Sequence, residues 1–90
     1  MLASDVANAK FAPTKWREGY DQREVDDFLD RVRATLAGYE AGRPVDPLTP
    51  EDVTLARFQP TKFREGYRQD EVDDFLDRVV VALRQHATRR

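Results

Sequence analysis

Two aspartate clusters of identical spacing, DDFLD at Asp26, Asp27 and Asp30 and again at Asp73, Asp74 and Asp77, are the residues most suggestive of chemistry. Carboxylates so grouped could hold Mg²⁺ against a diphosphate, because hard divalent cations take oxygen ligands and bridge to substrate phosphates. A prenyl-diphosphate reaction also needs a large helical cavity around its substrate, and 90 residues cannot enclose one. The plainer reading is a solvated helix face, with Asp27 and Arg31, and Asp74 and Arg78, at the spacing of ordinary helical ion pairs. The rest of the catalytic inventory is thin. There is no cysteine, no glycine-rich phosphate loop, and the single histidine, His86, falls near a helix end beside Arg84 with no companion ligand. Thr14 and Thr61 are the only serine or threonine positions that the two copies of the loop described next share. The sequence therefore predicts no enzyme, no metal, no cofactor and no small-molecule substrate.

A second pattern interleaves cations with aromatic rings, in KFAPTKWREGY and RFQPTKFREGY. Lys10, Lys15 and Arg17 against Glu18 leave the first loop at +2, and Arg57, Lys62 and Arg64 against Glu65 leave the second at +2. The stretches that follow, residues 21–31 and 68–78, each sum to −3, so a formal net charge of −2 conceals basic loops beside acidic helix starts. Those acidic neighbours repel phosphate, which argues against nucleic acid as a partner. An anionic membrane surface fits better. Each cation near such a leaflet contributes about 1 kcal/mol, and a fully buried aromatic ring adds ~1.5–3 kcal/mol. Lys15, Trp16, Arg17, Lys62, Phe63 and Arg64 are the candidate contact residues, while Phe11, Phe58, Tyr20 and Tyr67 are expected in the core.

The elements that position these loops follow from a duplication. Residues 11–36 match residues 58–83 at 19 of 26 positions, at a constant offset of 47. Residues 1–41 form repeat 1, residues 42–49 a Gly/Pro linker, and residues 50–90 repeat 2, the halves together making one folding unit. Gly42 is placed to end a helix in the left-handed conformation, and Pro44, Pro47 and Pro50 keep it from resuming. Thr49-Pro50-Glu51-Asp52 predicts a new start, with a short helix over about residues 50–56 and a less well-capped equivalent near residues 3–9. Val25, Phe28, Leu29, Val32, Leu36 and Tyr39 recur at helical spacing behind an Asp21/Glu24 capping pair. The same face in repeat 2 is Val72, Phe75, Leu76, Val79 and Leu83. It is widened by Val80 and Val81, which predicts that the second long helix is the more buried. These faces are the candidate helix interaction surface. The expected fold is all-α: two short helix–loop–long helix modules packed as a helical hairpin, a bundle or a coiled-coil-like pair, with the long helices free to run parallel or antiparallel. The Arg89-Arg90 tail suits the negative end of a helix dipole.

A short amino-terminal helix, a phenylalanine, a basic-aromatic loop, Gly-Tyr and a helix reading EVDDFLDRV resemble the DivIVA domain of bacterial cell-division and polar-growth scaffolds. Both copies carry the resemblance, over nearly all the chain outside the linker. It implies that Trp16-Arg17 and Phe63-Arg64 occupy the positions of the family's lipid-touching pair. It also implies a homodimer, cell-division or cell-wall proteins as partners, and a place at the inner face of the cell membrane. Glu18 and Glu65 depart from the pattern of some members, and no long coiled coil follows in this sequence. The alternative class is a soluble helical interaction or oligomerisation module without membrane contact. A cytoplasmic location is expected, since the longest strongly apolar run has five residues, 79–83, against the roughly 20 that span a bilayer, and MLASDVANAK lacks the features of a secretory signal.

Overall fold

The Thr49 hydroxyl accepts the Asp52 N–H at 3.1 Å, and the Asp52 carboxylate accepts the Thr49 N–H at 2.9 Å. This closed capping box starts a helix at Pro50, which fills a first-turn position where its missing N–H costs nothing. In repeat 1 the Asp21 carboxylate caps the long helix by accepting the Glu24 N–H at 3.0 Å. The computed structural model describes residues 1–88, so the expectation for Arg89 and Arg90 lies outside it. In chain order the elements are α1 (Ala3–Ala7), β1 (Pro13–Thr14), β2 (Gly19–Tyr20), α2 (Gln22–Glu40), α3 (Pro50–Leu55), β3 (Pro60–Thr61), β4 (Gly66–Arg68) and α4 (Gln69–Thr88).

The expected all-α fold is overturned by a four-stranded antiparallel sheet, ordered β1-β4-β2-β3. The protein is mixed helix and sheet. The segments read as irregular loops pair with one another across the repeats, so their backbone groups are satisfied by a partner remote in sequence. The coiled-coil-like pairing is corrected as well. The long helices are capped by the sheet at one end and flanked by α1 and α3, which pack against α2 and α4 respectively. Their apolar face is shared among four helices and is not a free-standing two-helix seam.

Tyr20 stands opposite Tyr67 in the sheet, and at the other end of the molecule Tyr39 stacks on His86, ring centroids 4.5 Å apart and planes 6° apart. Each pair consists of the same position in the two repeats. The repeats are thus related by a pseudo-twofold axis along the 46 Å long body, and α2 and α4 run in the same direction. Val25, Val32 and Leu36 from one repeat and Val72, Val79 and Leu83 from the other are fully buried along this axis. Leu29 and Leu76, Val6 and Val53 from the short helices, Phe75 and the linker's Leu48 also belong to the core. The second long helix buries Phe75 where Phe28 is only half-buried, while Ala82 is matched by buried Thr35 in the first; Val80 is half-buried and Val81 stays exposed.

Gly42 ends the first long helix at φ 71°, as its position predicts, and the Arg43 N–H donates to the Gly38 carbonyl at 2.8 Å. The linker then returns along α2 until the Leu48 N–H reaches the Thr35 hydroxyl at 3.1 Å, with Leu48 buried in the core.

One group in the sheet lacks a partner. Thr61 is 2% exposed and its hydroxyl makes no hydrogen bond among the described residues. Thr61→Val keeps the shape and removes an unsatisfied polar atom. It is expected to raise unfolding stability by about 1 kcal/mol, seen as a higher urea midpoint at unchanged slope.

Candidate functional site

The sheet fixes the bases of both basic-aromatic loops. Thr14 pairs with Gly66 and Thr61 with Gly19, so the loop of each repeat springs from a strand held by the other. Both glycines are required by close approach: a Cβ at Gly66 would lie 2.8 Å from the Tyr20 carbonyl oxygen and overlap the Thr61 hydroxyl. A Cβ at Gly19 would lie 2.8 Å from both the Tyr67 carbonyl oxygen and the Thr14 methyl carbon.

Held this way, the loops converge on the pseudo-twofold axis. Trp16 is 71% and Phe63 67% exposed, and their rings meet edge to face with centroids 6.5 Å apart. Such contacts favour a defined ring geometry. Lys15 Nζ sits 5.3 Å from the centroid of the Trp16 ring, and Lys62 Nζ sits 5.5 Å from that of Phe63. Phe63 takes φ 65°, in the left-handed region that non-glycine residues rarely adopt. Trp16 does not share this conformation, so the two arms are not copies in backbone.

The surrounding charges are held by neighbours from the opposite repeat. Arg64 reaches Asp21 at 3.4 Å. The Glu24 backbone N–H, with Arg64 as a lesser cause, holds the Asp21 carboxyl below the usual carboxylate range. Gln69 donates to Glu18 and Gln22 to Glu65, each at 3.3 Å. Beneath the tip the Tyr20 hydroxyl donates to Asp73 and the Tyr67 hydroxyl to Asp26, both at 2.8 Å. Burial, reinforced by these carboxylates, pushes both phenols up to about 12.

The six candidate contact residues therefore come together at one end of the molecule. Lys10 and Arg57 do not join them. Lys10 lines a cleft with Glu71 and Asp74, and the Arg57 guanidinium donates to the Thr54 and Ala56 carbonyls. The charge of the joint tip is thus four cations against Glu18 and Glu65, net +2, half of what two loops of +2 would supply.

The candidate helix interaction surface lies inside the molecule. Val25, Leu29, Val32, Leu36, Val72, Phe75, Leu76, Val79 and Leu83 are buried in the chain's own core, with Phe28 and Val80 half-buried against it. The helical ion pairs do not form either. Among the described residues the bridges are Arg64–Asp21, Arg68–Asp70 and Arg68–Glu71, while the guanidiniums of Arg31 and Arg78 lie over the rings of Phe28 and Phe75. His86, which the sequence places near a helix end without a companion ligand, is half-buried on Tyr39.

Sequence reasoning missed Glu24 and Glu71 as clamps on the opposite repeat. Glu24 accepts the Gln59 N–H at 2.6 Å and Glu71 the Ala12 N–H at 2.8 Å. Their signal was present as a glutamate repeated four residues after Gly-Tyr, but nothing local says that its partner lies in the other copy. No cluster of three potential metal ligands and no helix long and apolar enough to cross a membrane occurs among the described residues. Comparison with protein-family models, curated proteins and solved structures returns no match.

Proposed function

We propose that the paired tip docks this protein on an anionic membrane surface, as a non-catalytic adaptor whose remaining surface recruits cell-division or cell-wall-growth proteins at the inner leaflet. One observation carries the docking: Trp16 and Phe63 meet on the axis, both largely exposed, amid Lys15, Arg17, Lys62 and Arg64. An exposed aromatic pair costs solubility unless it has something to enter. The recruiting role follows the resemblance to the DivIVA domain and enters with it.

A net charge of +2 beside an anionic leaflet supplies roughly 2 kcal/mol, and two inserted rings add ~1.5–3 kcal/mol each. Because the rings touch, they enter as one wedge at one point and do not act as two separately anchored feet. Trp16, the sole tryptophan, reports the event directly. Titrating vesicles of anionic lipid should shift its emission to the blue, and salt should weaken the effect because the charge term is screened. Neutral vesicles should bind much more weakly. No shift with either lipid would leave the alternative of a soluble interaction module, and the search would move to protein partners.

A further inference from the structure

Every hydrogen-bonded strand neighbour in the sheet belongs to the opposite repeat: β1 with β4, β4 with β2, β2 with β3. Among the described residues neither repeat pairs its own two strands. The side chains repeat the rule. Phe11 packs on Tyr67 and Phe75, and Phe58 on Tyr20 and Phe28. The tyrosine–aspartate bonds and the Glu24 and Glu71 clamps also cross over. A repeat thus completes its sheet only with a mate, and any second copy of the chain carries the same mate in the same form.

The covalent tie between mates is slight. Residues 41–49 hold no strand, and the linker is anchored on α2 through Arg43 on Gly38 and Leu48 on Thr35. Asp46 is held at φ 46°, a left-handed conformation disfavoured for any residue with a Cβ. Straightening the linker relieves that strain. We propose that two copies of this chain assemble by exchanging halves, repeat 1 of each closing the crossed sheet with repeat 2 of the other. The product is a closed dimer with two tips, in each of which Trp16 of one copy meets Phe63 of the other.

Charge selects this pairing over a pairing of two second repeats. Arg64 meets Asp21 across the axis, whereas Arg68 occupies the Asp21 position of repeat 2. Two second repeats would set Arg64 against Arg68 on both sides, a like-charge contact. Within one chain the halves find each other at the high effective concentration of a short tether, so monomer prevails in dilute solution. Loss of tether length removes that advantage.

The test is the full chain lacking residues 43–47. Leu48 lies level with Thr35, six residues or roughly 9 Å back along the helix from Ala41, and the two peptide steps left from Ala41 through Gly42, at most roughly 7.6 Å, cannot cover that return. Light scattering during gel filtration should show at least a tenfold rise in dimer over the parent chain at equal concentration, with native circular dichroism. Exchanged halves separate only by unfolding, so the dimer should persist on dilution. A folded monomer, or a dimer that redistributes promptly on dilution, overturns the proposal. If the deletion does not fold, the parent chain decides: isotopically light and heavy forms, mixed in denaturant and refolded at high concentration, should give dimers of mixed mass by native mass spectrometry. Monomers alone overturn it.

Discussion

Gly66→Ala is expected to destabilise the protein by about 3 kcal/mol, the upper range for forcing an extra carbon into a packed interior. The new Cβ would sit 2.8 Å from the Tyr20 carbonyl oxygen and on the Thr61 hydroxyl. Neither neighbour can give way cheaply. Tyr20 is in the second strand, which is paired on both sides, and Thr61 is buried in the edge strand beside it. For a chain of this size the loss should lower the thermal midpoint by roughly 12–24 °C. Gly42→Ala makes the natural comparison, since that glycine has nothing within 4 Å and only its φ of 71° to lose. It should cost only about 1–2 kcal/mol, the left-handed penalty. Urea unfolding of both variants measures the difference, and equal midpoints would mean that the crossed sheet does not form.

Trp16→Ala/Phe63→Ala should weaken binding to anionic vesicles by at least about 100-fold, while leaving stability within about 0.5 kcal/mol of the parent. The first number follows from removing ~1.5–3 kcal/mol of ring burial per side chain, at 1.4 kcal/mol per tenfold. The second follows from exposure, since both rings face solvent and neither belongs to the core. Because the rings contact each other edge to face, the single variants should fall short of additivity in binding. Co-sedimentation at fixed ionic strength separates these outcomes. Binding unchanged in the double variant would refute insertion and leave only surface charge attraction.

Much of the helical part was legible in the residues. Asp21, Thr49 and Gly42 mark their helix ends by local chemistry, and the spacing from Val25 to Leu36 shows which face goes inward. The sheet was not. Its strands are two or three residues long and built from Pro-Thr and Gly-Tyr, in which Pro and Gly offset the strand preference of Thr and Tyr, and they are too short to display alternation. Their partners lie roughly half the chain away, so no local window contains the information. The same non-locality hid the tip. Trp16 and Phe63 were identifiable as exposed aromatics in equivalent loops, but that they meet each other depends on strand crossing. It also hid the fate of Lys10 and Arg57, which belong to the loops in sequence and to the helix clefts in space.

The pseudo-twofold axis has a consequence for behaviour at low abundance. A two-armed tip built from separate identical chains exists only above their dissociation constant, and its amount falls with the square of the chain concentration. Here both arms are translated together, so the tip is complete in every molecule, even where a handful are present. The shared ancestry of the arms also no longer enforces identity. Trp16 faces Phe63, and Arg68 stands in repeat 2 where Asp21 stands in repeat 1, because each half is free to change alone. A symmetric assembly must accept every substitution twice, whereas this chain can give one arm depth and the other charge.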